Sequence, residues 1–269
     1  MGKITATIGV VGTGSMGGAI ARGVVASGAL PAANVYVCDH QTDKTDPLAK
    51  LGCVVCADAA DLAARQTDVV ILAVKPQVLG AVMEGLSEAL AGRLVVSIAA
   101  GVNLKTLQAA MPGSRVVRAM PNLPIQVLSG ATALAPAATA TPADVQLVQS
   151  VFAALGSAQV MREDQLDAEG AVVSCGPAYF ALFVDALTRA GIRAGLPASA
   201  CREMVEATML GVAKSLLQTG EHPRQYVEKV TSPGGTTAAA LYELEPLLVE
   251  GSYEAVDAAL ARTRELAGN

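Results

Sequence analysis

Two hydrophobic periodicities divide the chain. Up to about Glu163, short apolar runs of β type alternate with amphipathic stretches whose apolar positions recur every three to four residues. The runs predict strands at 8–11, 35–38, 53–56, 69–74, 94–98, 116–120, 131–135 and 158–161. The stretches between them predict helices at 16–27, 44–51, 59–65, 77–90, 104–110 and 142–155. Val69-Val70-Ile71-Leu72-Ala73-Val74 is apolar at every position, as expected of a strand covered on both faces. Such alternation implies βαβ units and a doubly wound, mainly parallel sheet.

Beyond Glu163 only helical periodicity remains, at 166–175, 177–194, 198–219, 223–230, 236–248 and 253–266. Gly176-Pro177 and Gly220-Glu221-His222-Pro223 are the natural breaks. The expected organisation is therefore an α/β domain over 1–163 followed by an all-α domain over 164–269. Stretches 178–187 and 205–217 are apolar on more than one face. A domain of about 100 residues cannot bury that much surface alone, which calls for a partner subunit interleaved with it.

Composition narrows the class. The 269 residues are 52% hydrophobic but 3% aromatic, with no Trp, so the core must be built from Ala, Val, Leu and Ile. A net charge of −5 gives no electrostatic reason for a nucleic-acid partner. The longest contiguous apolar runs are too short to cross a bilayer. Lys3 leads into a strand and a glycine motif, which is not the pattern of a signal peptide. Five cysteines, an odd number, do not suggest a disulfide framework. The expectation is a soluble cytoplasmic protein without nucleic-acid or membrane partners.

Most of the polar chemistry can be set aside. Cys53-x-x-Cys56 lacks the second pair a structural zinc site needs and lies on a β-run, so it reads as core, as do Cys175 and Cys201. His40 and His222 are the only histidines, and His222 precedes Pro223 as a helix-start residue would. No Ser-His-Asp set, carboxylate pair or metal-ligand cluster presents itself.

What remains lies in glycine-rich turns and at strand ends. Gly12-Thr13-Gly14-Ser15-Met16-Gly17 follows an apolar strand and opens a helix. Gly12 permits the tight turn, Gly14 lets a pyrophosphate approach the backbone, and Gly17 allows close helix–strand packing. The competing explanation is a tight turn that binds nothing. Asp39 stands 22 residues after Gly17, where a carboxylate can pair with a ribose 2′-hydroxyl and disfavour a 2′-phosphate. That leans towards NADH, although Lys44 and His40 can serve a phosphate, and a solvated Asp at a strand end explains it equally. Ala73-Val74-Lys75-Pro76, Ala99-Ala100-Gly101 and Asn122 (between Pro121 and Leu123-Pro124) end three successive strands, where open α/β sheets bind ligands.

Late in the chain, Thr231-Ser232-Pro233-Gly234-Gly235-Thr236-Thr237 precedes a run of good helix formers. Free N–H groups and the positive end of the helix dipole suit a small carboxylate there. An ordinary capped helix start is the alternative.

With these residues assembled, the chain resembles the pyrroline-5-carboxylate reductases over nearly its whole length. The resemblance rests on 11–17, 73–76, 96–102, 118–122, Gly176-Pro177-Ala178-Tyr179, Glu221-His222-Pro223 and above all Ser232-Pro233-Gly234-Gly235-Thr236-Thr237. It implies reduction of the cyclic imine pyrroline-5-carboxylate to L-proline with NADPH or NADH. It also implies a homodimer of interlocked C-terminal helices, with larger rings of dimers common in the family. Thr237 becomes the hydrogen-bond partner of the imine nitrogen, and Ser232, Gly234, Gly235 and Thr236 hold the ring carboxylate. The nicotinamide rests over 99–101 and Asn122, and the active site lies between the domains.

The chain departs from the family at Val173-Ser174-Cys175, where Ser-Gly-Ser is commoner, at Asp39, where many members carry Ser or Thr, and at Ala60, where many carry Asn. Two other readings compete: a related imine or 3-hydroxyacid reductase, and a catalytically silent nucleotide sensor or scaffold. The hydroxyacid enzymes rely on a helix-borne Lys within a motif that does not surround Lys214. A scaffold needs neither anion site.

Overall fold

Apolar side chains on alternate strand positions feed two separate cores, one on each face of a single sheet. In the computed structural model, which describes residues 4–267, the strands are β1 (Ile8–Val11), β2 (Val35–Cys38), β3 (Val54–Val55), β4 (Val69–Leu72), β5 (Leu94–Ser97), β6 (Arg115–Pro121), β7 (Gly130–Pro136) and β8 (Gly156–Val160). Lys3 lies outside the described residues. Ile8, Val10, Val69, Ile71, Leu94 and Val96 enter one core, while Val11, Val70, Leu72 and Val95 enter the other. Every residue of β1, β4 and β5 is consequently buried. Each such aliphatic side chain contributes about 1.5–3 kcal/mol of transfer free energy.

The spatial order is β3-β2-β1-β4-β5-β6-β7-β8. Parallel neighbours are joined by crossover helices α1 (Ser15–Ala26), α2 (Asp46–Lys50), α4 (Pro76–Leu86), α5 (Leu104–Ala110) and α6 (Pro142–Ala153), while α3 (Ala59–Ala64) returns the chain from β3 at the sheet edge to β4 beside β1. Their starts follow sequence signals. Asp58 accepts from the Asp61 N–H, Asn103 from the Thr106 N–H, and Thr141 with Asp144 makes a reciprocal capping box. Only β6 and β7 pair antiparallel. Between them lies the single 3-10 turn Leu123–Val127, too short for a crossover helix, so the chain must turn back beside the strand it leaves.

After β8 comes α7 (Leu166–Glu169), and the helix then widens into a π-turn at Gly170–Ser174. The two compact units of the chain divide here. One runs through Ser174 and takes in the residues from Leu260 on; the other is Cys175–Ala259. This divide falls later than the change of periodicity at Glu163. Leu166 and Ala171 are buried, and Leu166 belongs to one of the sheet's cores, so the segment after Glu163 packs with the sheet although it is helical.

The second unit contains α8 (Gly176–Arg193), α9 (Ala198–Thr219), α10 (Pro223–Lys229) and most of α11 (Thr236–Ala267). At Gly191 an added Cβ would lie 2.4 Å from Cys201 Sγ, so the hairpin of α8 and α9 closes only around glycine. Three expectations need correction. The helices expected at 236–248 and 253–266 are one, because Pro246 is accommodated inside the helix and Ser252 Oγ donates to Leu248 O (2.6 Å) across the expected gap. Cys175 is exposed at the start of α8, whereas Cys53, Cys56 and Cys201 are buried. Glu163–Arg193 is long and apolar enough, by length and composition alone, to cross a membrane; contiguous runs did not reveal it because charged residues punctuate the stretch.

Candidate active site

Strand order decides where a ligand can enter. The chain fills the sheet outward from β1 in one direction through β2 and β3, then restarts beside β1 with β4. The crevice beyond the carboxyl ends of β1 and β4 is therefore the topological switch point. Val11 pairs with Leu72, Leu72 with Ser97, and Ser97 with Arg118, so the residues that follow these strands share one sheet edge. The structure thus brings together the glycine loop, Ala73–Pro76, Ala99–Gly101 and Asn122, which the sequence offered as separate candidates.

Each loop glycine meets a different steric demand. Gly12 has φ +93°, and a Cβ there would lie 2.9 Å from Ala73 O. Around Gly14 a Cβ would meet nothing within 4 Å, which leaves the backbone open. At Gly17 a Cβ would sit 2.0 Å from Gly12 O, so any side chain would push α1 off the strand. Gly14 is also the N-cap of α1 and carries no side-chain cap, so no protein side chain competes for the first N–H groups. Open backbone and a positive helix end fit a dinucleotide diphosphate. Met16 packs on the sheet core, and exposed Ser15 accepts a hydrogen bond from Gln126 Nε2 (3.4 Å). That contact brings the β6–β7 turn to the glycine loop; no local pattern signals a link over so many residues.

Other side chains at this edge are already engaged. Asn122, 9% exposed, accepts from the Ala131 N–H (2.8 Å) and donates to Val173 O (3.2 Å), tying β7 to the π-turn. The Asp39 carboxylate accepts from the N–H groups of Thr13 (2.7 Å) and Gln41 (3.0 Å). Burial pushes its pKa upward, but these bonds and the charge of Lys44 outweigh that and hold it below the usual carboxylate range. Lys75 and Pro76 open α4 at the solvent. Ala99 is buried, Ala100 is exposed, and Gly101 turns at φ +75°.

Two groups near this edge had no assigned role in the sequence. Arg118, 4% exposed, pairs with Glu163 (3.4 Å), whose Oε1 also accepts from the Leu104 N–H (2.5 Å). Glu169 accepts from Ser174 Oγ (3.2 Å) across the π-turn, and burial raises its pKa to about 7. Periodicity marks such positions only as polar.

In the second unit, Ser232–Gly235 is a tight turn closed by Gly235 N–H to Ser232 O (3.0 Å). Gly234 adopts φ +69°, and a Cβ on Gly235 would lie 2.3 Å from Ser232 Oγ. The first helical bond after the turn is Ala239 N–H to Gly235 O (3.2 Å), so the N–H groups of Thr236, Thr237 and Ala238 precede it. No acidic residue occupies the first turn of α11. Ser232 and Thr236 are exposed and Thr237 is half-buried. The ion pair Arg224–Glu245 (2.5 Å) ties α10 to α11, and Lys229–Glu221 (2.7 Å) ties the end of α10 back to the segment before it. His222 caps α10, its Nδ1 accepting from the Arg224 N–H (3.2 Å), as a helix-start residue does.

Sheet, switch point and glycine loop define a Rossmann-type, dinucleotide-binding class of protein. Residues 7–101 match the family model described as NADP oxidoreductase, coenzyme F420-dependent, and residues 163–266 match pyrroline-5-carboxylate reductase dimerisation. The pyrroline-5-carboxylate reductase of Methanosarcina acetivorans is 36% identical over 263 residues, covering 96% of this chain and 97% of that one. The chain belongs to the pyrroline-5-carboxylate reductase family.

Solved structures agree. A pyrroline-5-carboxylate reductase from Coxiella burnetii superposes with a TM-score of 0.92 at 35% identity, covering 97% of this chain and 98% of that one. The Plasmodium falciparum pyrroline carboxylate reductase, solved with NADP bound, gives 0.86 at 27% identity, covering 99% and 100%.

Proposed function

We propose that this protein reduces L-1-pyrroline-5-carboxylate to L-proline with NADPH or NADH, the last step of proline biosynthesis. Beyond family membership, the observation that carries this reading is the Ser232–Gly235 turn. It opens the N-terminus of α11 without an acidic neighbour and sets Thr237 in its first turn.

When bound, the cofactor supplies the hydride. Gly12, Thr13, Gly14, Ser15, Met16 and Gly17 would hold its diphosphate at the start of α1. Ala73, Val74, Lys75 and Pro76, with Ala99, Ala100, Gly101 and the backbone at Asn122, wall the crevice. The substrate carboxylate rests on the open N–H groups at the start of α11, Thr236 first, helped by Ser232; Gly234 and Gly235 shape the turn that exposes them, the Gly235 N–H being spent on Ser232 O. As hydride adds to the C=N carbon, the π electron pair moves to nitrogen, which must carry a proton. A threonine hydroxyl is a poor acid, so we assign Thr237 to orienting the ring through a hydrogen bond at nitrogen, with the protonated imine supplying the proton.

The exposed apolar side chains of the second unit support a homodimer: Phe180, Leu182, Met204, Leu217, Leu247 and Tyr253 are all more than 60% exposed. Interlocked helices, and rings built from such dimers, would cover them. On this reading the apolar Glu163–Arg193 stretch is no membrane span: its start packs on the sheet through Leu166, and its exposed part, along α8, is interface. All five cysteines are free, which suits a cytoplasmic setting.

The test is direct. Purified protein should oxidise NADPH or NADH only once pyrroline-5-carboxylate is added. Absence of turnover with both cofactors ends the proposal.

A further inference from the structure

The geometry points to Asp39 as a positioning residue that fixes the glycine-rich loop through Thr13, and not as the reader of the cofactor's adenosine ribose. Its place after β2 suits either role. The direction of its carboxylate separates them. Oδ2 accepts from the Thr13 N–H (2.7 Å) and Thr13 Oγ1 (3.3 Å). Oδ1 accepts from the Gln41 N–H (3.0 Å) and lies 3.1 Å from His40 Nδ1. The side chain is 5% exposed, against 83% for the neighbouring His40. Oδ2 is filled by the two donors of Thr13, Oδ1 is turned to the Gln41 N–H, and a side chain only 5% exposed offers little of itself to a ligand in the crevice.

The residue before it acts in step. Cys38 O accepts from the Gly12 N–H (2.9 Å), so the end of β2 grips two successive amides of the loop. That grip matters because the loop alternates glycines, which lose more conformational freedom on ordering than any other residue. Thr13 lies between Gly12, turned at φ +93°, and Gly14, which is open, and is itself 5% exposed. Its buried N–H has a charged acceptor in Asp39, the stronger kind of hydrogen bond. Without it the donor is stranded and the loop samples conformations that do not cradle a diphosphate. With its carboxylate turned to the loop, Asp39 serves NADH and NADPH alike, and the identity of the cofactor is read elsewhere.

The inference rests on dinucleotide binding alone, so its deciding measurements need no imine. Wild type, Asp39→Ala and Asp39→Asn are titrated with NADH and NADPH by nucleotide fluorescence, and hydrogen exchange is followed in the peptide covering 12–17. For Asp39→Ala, both affinities should fall about tenfold while their ratio stays within about threefold of wild type, as expected for loss of one charge-assisted bond. Exchange in the loop should quicken. In turnover, KM for each cofactor should rise with kcat little changed. Asp39→Asn keeps one acceptor for the Thr13 N–H and should recover part of the affinity for both. A tenfold or larger change in the NADPH-to-NADH ratio in either variant would assign Asp39 to the ribose. Loop exchange identical to wild type in Asp39→Ala would equally overturn the inference.

Discussion

At Gly17 an added Cβ would lie 2.0 Å from Gly12 O, and at Gly235 one would lie 2.3 Å from Ser232 Oγ. In both turns one glycine makes a contact no other residue can make while a neighbour leaves the backbone accessible. Local steric rules of this kind are written in the sequence, which is why both turns were visible there. Direction was not. Spacing put Asp39 and Asn122 at strand ends, but only the folded chain shows their polar atoms spent on Thr13, Gln41, Ala131 and Val173.

Thr237, half-buried in the first turn of α11, belongs to the same scale. Thr237→Val keeps its shape and removes the hydroxyl. It should lower kcat/KM about 10–1000-fold, the usual size of a lost transition-state hydrogen bond, with cofactor affinity near wild type. A large loss of cofactor binding in that variant would remove Thr237 from the substrate site.

Among the elements, alternation of strand and helix patterns located the eight strands of the described sheet, most plainly β1, β4 and β5, because strands buried on both faces read as continuous apolar runs. It did not show that β7 runs antiparallel to β6, which follows from a connection too short to cross over. Nor did it show that α11 passes through Pro246 unbroken, or that the helix after β8 opens into a π-turn.

The π-turn has a measurable consequence. Burial raises Glu169 to about 7, above its ordinary value of 4.5, so between those values the native protein binds the extra proton. Stability should therefore fall as pH rises through that window and stay low above it. Glu169→Gln removes the charge that burial opposes. Measured by urea unfolding, it should be more stable than wild type by about 1–2 kcal/mol at pH 8 and indistinguishable at pH 4.5. An equal difference at both values would mean that the carboxylate's ionisation has no part in it.

At the scale of the whole molecule, the second unit leaves large apolar side chains uncovered by the chain itself. Leu217 is 85% exposed and Leu247 72%, on helices matched by the dimerisation family model. Light scattering should give a mass at least twice 27.2 kDa. Leu217→Glu should weaken association at least about tenfold, since an ionised carboxylate in an apolar interface costs more than the 1.4 kcal/mol that factor represents. A monomeric wild type, or an unaffected variant, would send these apolar faces to another role.

The class of fold, the glycine-rich loop after β1 and the glycine turn before α11 are all legible in the chain itself, because periodicity, glycine sterics and helix-end chemistry act over a few residues. Tertiary structure alone decided which strand ends share the crevice between β1 and β4. It also decided which way Asp39 and Asn122 point, and that Arg118, Glu163 and the Leu104 N–H meet. Those facts depend on contacts between residues tens of positions apart, and hydrogen-bond direction is fixed only when both partners are in place.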